Sequence, residues 1–144
     1  MRRRKEGFSL VELLIVLAVM AALIATITPV AMNAIRKSKA TKVAQNLKSM
    51  GTAFENYLYV NDEAPEELTD LGRDIDDDAY GIAWETADGS YLAIAYTNED
   101  ADIDTVKEAL PNATTEDITY DEAGDLGLSY ASTYTKYSLE FQVY

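Results

Sequence analysis

The chain has 144 residues, room for one domain or for one domain with an appended helix. It holds no cysteine and no histidine, which removes disulfides, Cys–His and Ser–His chemistry and ordinary zinc or haem ligation, so neither an enzyme nor a cofactor is expected. The net charge of −13 is unevenly spread: the first seven residues carry +3, residues 13–54 hold no acid, and from Gly51 onward 23 acids face three bases.

In chain order, residues 1–7 form a short basic leader, with Arg2, Arg3, Arg4 and Lys5 against Glu6. Leu13 to Met32 is a run of twenty uncharged residues, enough to cross the hydrocarbon of a membrane as a helix. A helix from Phe8 to about Tyr59 would be roughly 75–80 Å long. Residues 8–35 are its membrane half. Residues 36–60 are an amphipathic half, in which Ala40, Val43, Ala44, Leu47, Met50, Phe54 and Leu58 recur in steps of three and four as one buried stripe. Lys42, Lys48 and Glu55 sit off that stripe.

Residues 61–144 read as an acidic head. Asn61 to Asp78 is a connecting loop, with a short helix at PEELTDL where Pro65 suits a first turn. Tyr80–Thr86 and Ser90–Tyr96 read as strands around Asp88-Gly89, a strong hairpin signal. A weak helix over Asp102–Leu110 stops at Pro111. Near the C-terminus Tyr137, Leu139, Phe141 and Val143 alternate with polar residues as a strand does. The fold class expected is α+β: a long N-terminal helix with an antiparallel sheet laid on its second half. The head's acids would repel nucleic acid, so no such partner is expected there, and most of them read as a solvated face.

Glu12 is the residue that points to function. A carboxylate at the head of an apolar helix costs several kcal/mol in lipid unless paired, although it could also rest at headgroup level beside a span beginning at Leu13. Its surroundings, KEGFSLVELLIVLAVMAALIA, closely resemble the N-terminus of type IV prepilins and pseudopilins. That resemblance implies a leader cut by a membrane prepilin peptidase between Gly7 and Phe8, followed by N-methylation of Phe8. Glu12 then becomes the fifth residue of the mature chain. The resemblance further implies that Glu12 of one subunit meets the Phe8 amine of its neighbour during assembly. Pro29 would mark a segment able to unwind in the filament, though a proline is also ordinary in membrane helices. The segment YLYVNDEAPEELTDL is similar to the family's passage from helix to loop. The family often closes its C-terminal region with a disulfide, and here that region must be held by other means.

Other readings stand beside this one. An ordinary secretory signal could end in AALIA, releasing a soluble acidic protein, but it leaves Glu12 unexplained. Five bases follow the span, so counting positive charges alone favours the reverse orientation. In a filament the Arg36–Lys48 run is expected to meet acidic heads of neighbouring subunits, or else to lie solvated against lipid headgroups. Asp100, Asp102 and Asp104 alternate as calcium loops do, without the EF-hand glycine, and Asp74–Asp78 is similar. Some pseudopilins hold calcium in a C-terminal loop, so calcium is the one cofactor weighed, against a solvated acidic loop. Asn112 opens a glycosylation sequon. The ten tyrosines read as amphipathic core and surface residues.

Taken together, these features lead us to expect a structural subunit, a major pilin, held in the cell membrane as a single-pass precursor. Its partners would be the membrane, prepilin peptidase, the pilus assembly machinery and further copies of itself in an extracellular helical filament. The nearest alternatives are a pseudopilin of a secretion or DNA-uptake system and a non-polymerising single-span binding protein.

Overall fold

The structure, a computed structural model, describes residues 7–72 and 74–143; residues 1–6 of the basic leader, Arg73 and Tyr144 lie outside it. Helix α1 runs Leu10–Asn61, two residues later at each end than the expected span. A short 3-10 turn follows at Leu68–Leu71, then strands β1 (Tyr80–Ala87) and β2 (Ser90–Thr97), helix α2 (Ile103–Ala109), and strands β3 (Ala113–Thr114), β4 (Gly124–Gly127) and β5 (Thr135–Gln142). The fold is α+β, as expected. The chain divides after Ile35 into two compact units.

The first unit is the apolar half of α1. Every residue from Gly7 to Lys39 is exposed, including Leu13, Leu14, Ile15, Val16 and Leu17 in succession. An α-helix satisfies its own backbone, so such a segment needs only an apolar solvent around it.

In the second unit the stripe read from the sequence is the buried one: Ala40, Val43, Ala44, Leu47, Met50, Phe54 and Leu58 are all covered. Their i, i+3, i+4 spacing places them along one side of α1, against the sheet. Phe54 packs its ring on Trp84 of β1 and Phe141 of β5, at centroid distances of 5.0 and 6.3 Å. The loop after α1 is pinned by a capping box in which the Asp70 carboxylate accepts from the Glu67 amide at 3.0 Å, and by Gly72 in the left-handed region.

The sheet is antiparallel throughout, in the order β3-β5-β2-β1-β4. Strands β1 and β2 pair from Tyr80↔Thr97 to Ala87↔Ser90. Between them Asp88 (φ 50°) and Gly89 (φ 79°) both take positive φ, the conformation a two-residue hairpin turn needs. Ile82, Trp84, Ala93 and Ala95 face α1, while Ala83, Ile94 and Tyr96 belong to a second apolar cluster on the opposite face. Period-two alternation therefore buries both faces, which is why YGIAW reads as a continuous apolar run.

That second face was not foreseen. It is covered by the loop from Thr115 to Tyr134, which lays Ile118, Tyr120, Leu128, Tyr130 and Tyr134 over Tyr96 and its neighbours. Within this loop Gly124 lets β4 pass close to Trp84, because a β-carbon there would collide with the indole. Both ends of the loop are tied by one cation. Lys136 is fully buried, and its ammonium donates to the backbone carbonyls of Glu116 and Ser132 and lies 5.3 Å from the Tyr130 ring centre. The Tyr130 hydroxyl in turn donates to Asp117 at 2.7 Å. In a chain without cysteine this network, buried at Lys136 and open at Asp117, holds the C-terminal region.

Burial, and then the bond to Asp117, push the Tyr130 phenol up to about 12. The neutral form is thus favoured in the folded state. Its contribution to stability is complete below pH 10 and is lost as pH rises from 10 to about 12. Tyr130→Phe is expected to lower stability at pH 7 by about 1–2 kcal/mol through the lost hydrogen bonds, and to flatten the alkaline decline. Denaturant unfolding of the full chain in detergent at pH 7, 10 and 11.5 measures both; an equally steep decline in the variant would contradict the assignment.

Candidate functional site

Phe8, Ser9 and Glu12 stand together at the start of α1. The Ser9 hydroxyl accepts from the Glu12 amide at 3.2 Å, and the Glu12 carboxylate Oε2 accepts from the Ser9 amide at 2.8 Å. This is a reciprocal capping box: Ser9 is the N-cap, and each side chain satisfies a backbone donor that the first turn leaves without a helical partner. The S-x-x-E spacing in FSLVE carries that signal, which the charge of Glu12 overshadows in the sequence. The other carboxylate oxygen of Glu12, Oε1, has no partner among the described residues.

Phe8 is 80% exposed, and a β-carbon on Gly7 would meet nothing within 4 Å. The backbone on either side of the Gly7–Phe8 bond is therefore open. Behind it α1 is long and apolar enough to cross a membrane, and none of its apolar window is buried.

Pro29 lies inside α1, and the helix continues through it. Proline offers no amide to the Ala25 carbonyl, so one ladder bond is absent at this point. Nearby, the Thr26 and Thr28 hydroxyls donate to the carbonyls of Leu23 (2.9 Å) and Ile24 (2.8 Å).

The basic run is partly used within its own chain. Lys37 pairs with Glu108 at 2.9 Å and Lys39 with Glu99 at 3.1 Å, so these two bases bind acids of their own chain. All four side chains are substantially exposed, so each pair is worth at most about 1 kcal/mol.

The acidic candidates divide between a helix start and an exposed turn. Asp102 caps α2, accepting from the Thr105 amide at 3.0 Å and its hydroxyl at 2.6 Å. These bonds, with Arg36 nearby, hold its carboxyl below the usual range. Asp104 falls in the first turn of the same helix, so the alternating spacing of Asp100, Asp102 and Asp104 is shared between a loop and a helix start. Among the described residues the carboxylates that approach one another within 4.8 Å are Asp76, Asp77 and Asp78, all exposed. Asn112 is exposed in the turn ahead of β3, and the Thr114 hydroxyl of its sequon accepts from the Glu116 amide at 3.0 Å.

Residues 2–28 match the family model described as the prokaryotic N-terminal methylation motif. The chain therefore carries the type IV prepilin signature, across the leader, Gly7, Phe8, Glu12 and most of the apolar helix half. No curated protein and no solved structure matches the chain.

The capping box makes its own prediction. Ser9→Ala is expected to cost the first turn of α1 about 1 kcal/mol, seen as faster hydrogen exchange of the Leu10 to Glu12 amides in detergent micelles. Denaturation of the head should not change. Unaltered exchange at those amides would show that the box does not hold the helix start.

Proposed function

We propose that this chain is the major structural subunit of an extracellular filament of the type IV pilus kind. In this reading it is held in the cell membrane as a single-pass precursor and cut by prepilin peptidase between Gly7 and Phe8. Phe8 is then methylated, and the subunit polymerises through the first half of α1. One observation carries the proposal: a single carboxylate, Glu12, heads a helix half that is otherwise uncharged and wholly exposed, within a segment bearing the prepilin signature.

The physical logic follows from that arrangement. The apolar half of α1 has no cover in its own chain, so it needs lipid before assembly and other helices after it. Cleavage leaves a positive amine on Phe8. Inside a bundle of apolar helices that amine and the Glu12 carboxylate each need a counter-charge, since an unpaired buried charge costs several kcal/mol. The Glu12 carboxylate of one subunit supplies it to the Phe8 amine of the next. Pro29, where one ladder bond is missing, supplies a place for local opening as the helices pack. The role is structural throughout, and none of it calls on a catalytic group.

Processing is tested by N-terminal sequencing and mass measurement of the mature protein from its host. A start at methylated Phe8 is expected; a start at Met1 or after Ala22 or Ala25 would reject the reading. Gly7→Val should leave the leader attached, because the peptidase requires an unobstructed backbone at the bond it cuts.

The assembly role of Glu12 is tested by separating its charge from its capping. Glu12→Gln keeps an acceptor for the Ser9 amide, so α1 should begin as before and the head should fold normally. Filament yield in the sheared surface fraction is nevertheless expected to fall steeply, because the neighbour's amine loses its counter-charge. Abundant filaments of normal length built solely from Glu12→Gln subunits would overturn the role.

A further inference from the structure

One motif of the head has no part in assembly. Of the six asparagines in the sequence only Asn112 opens an Asn-x-Ser/Thr triplet, Asn112-Ala113-Thr114, with no proline in the middle. The fold sets it at the tip of a turn. The Ala113 amide donates to the Leu110 carbonyl at 2.9 Å, closing a four-residue turn whose two central residues are Pro111 and Asn112. Pro111 fixes the backbone on one side, and Asn112 stands exposed between α2 and β3. Its carboxamide has no partner among the described residues. Those of Asn46, Asn61 and Asn98 instead donate to the Tyr80 hydroxyl, the Tyr57 carbonyl and the Asp78 carbonyl. Ala113 is buried in the core, while the Thr114 hydroxyl accepts from the Glu116 amide and keeps its own hydrogen for another acceptor.

The strand register gives this turn a second property. β3 pairs with β5 through Ala113↔Tyr137 and Thr114↔Lys136, so the same register continued by one residue sets Asn112 beside Ser138. Among the described residues no other strand borders β5 on that side, and its edge runs without a strand partner from Ser138 to Phe141. An open edge invites pairing with another sheet unless something charged or bulky stands beside it. Glu140 is the one charge on this stretch. A bulky hydrophilic group on Asn112 would stand at the head of the open edge without entering the core. Lys37 pairs with Glu108, four residues before Asn112, so the turn lies at the end of the second unit where the chain enters it.

From this placement we propose that Asn112 is the acceptor of an N-linked glycan, transferred from a lipid-linked sugar diphosphate on the outer side of the membrane. The site rests on the filament reading above for one thing, the export of the head. In the transfer Nδ2 of Asn112 forms a bond to the anomeric carbon of the sugar and gives one proton to a base of the transferase. The bond from that carbon to the diphosphate oxygen breaks, and the lipid diphosphate leaves. Nothing is oxidised or reduced. The Thr114 hydroxyl is the second group that the transferase reads, which is why the triplet and not the asparagine alone defines the site. The sugar adds bulk and solubility at the sheet edge and no charge.

The test is mass measurement on the full chain purified from its host. Trypsin cuts after Lys107 and Lys136, so residues 108–136 come away as one peptide that contains Asn112. In wild type that peptide is expected to be heavier than its sequence by a whole number of monosaccharide residues, with fragmentation placing them on Asn112. Asn112→Gln and Thr114→Ala should each lose the added mass completely, and Thr114→Ser should keep it. The serine variant separates recognition of the hydroxyl from any effect on folding. Added mass that survives Asn112→Gln overturns the site, because the sugar then sits on a serine or threonine of the same peptide. A peptide of plain sequence mass from a chain that begins at Phe8 also overturns it and leaves the filament reading intact. A chain that begins at Met1 with the peptide unmodified overturns both.

Discussion

The structure depends on one helix meeting two different surroundings. The second half of α1 has an apolar stripe on one side only, and the sheet covers that stripe from Ala40 to Leu58. Its first half is apolar all round, and nothing in the chain covers it. A stripe can be buried by a single layer of protein, whereas an all-round apolar helix must be enclosed. The change from one pattern to the other falls between Ile35 and Ala40, where the bases begin and where the chain divides into its two units. Everything on the C-terminal side of that change is a means of covering the stripe. Everything on the N-terminal side leaves the helix dependent on lipid or on other chains.

Covering the stripe creates a second difficulty, because a sheet has two faces. The strands that bury Ile82 and Trp84 against α1 turn Ala83, Ile94 and Tyr96 the other way. A further apolar layer is needed, and the 115–134 loop provides it with tyrosines rather than with a second helix. Tyr130 meets Tyr96 edge-on at 5.1 Å and Tyr120 at 5.3 Å. Aromatic rings suit a loop because each covers a large area with few rotatable bonds. A loop still loses more entropy on ordering than a regular element whose backbone bonds form locally, so its ends need fixing. Lys136 does this with hydrogen bonds to two carbonyls sixteen residues apart in sequence. Burial pulls its ammonium below the ordinary lysine range, so the clamp works against a desolvation penalty.

Much of this was legible in the residues, and the parts that were not share a cause. The stripe, the Asp88-Gly89 hairpin and the alternating C-terminal strand are local patterns, readable because periodicity and turn chemistry are properties of neighbouring residues. Strand β4 is four residues, Gly-Asp-Leu-Gly, with no strand propensity of its own; it exists because Gly124 and Gly127 let the backbone approach β1. The partners of Lys37 and Lys39 lie sixty or more residues away, so no spacing rule could pair them. The run of Asp100, Asp102 and Asp104 shows one spacing open to two chemistries. Asp102 has the spacing of a ligand and the chemistry of an N-cap, and Thr105 three residues on engages it as a cap. At the N-terminus the prepilin signature was legible by resemblance, while the Ser9–Glu12 box was legible by physics and missed.

That box bears on how a glutamate persists at the head of an apolar helix. Before assembly, a carboxylate there would be costly with no partner, yet a partner bound too tightly would be unavailable to a neighbour. The Ser9 amide takes one oxygen of Glu12, while Oε1 has no partner among the described residues. The cap thus orients the carboxylate without occupying both of its oxygens. Ser9 is also the residue next to Phe8, so in the proposed filament the neighbour's amine approaches a carboxylate already fixed at the helix end. Packing of apolar helices supplies attraction with little preference for one stagger over another. A preoriented charge at one end of α1 would favour one stagger over the others, and a helical filament requires one register repeated at every subunit.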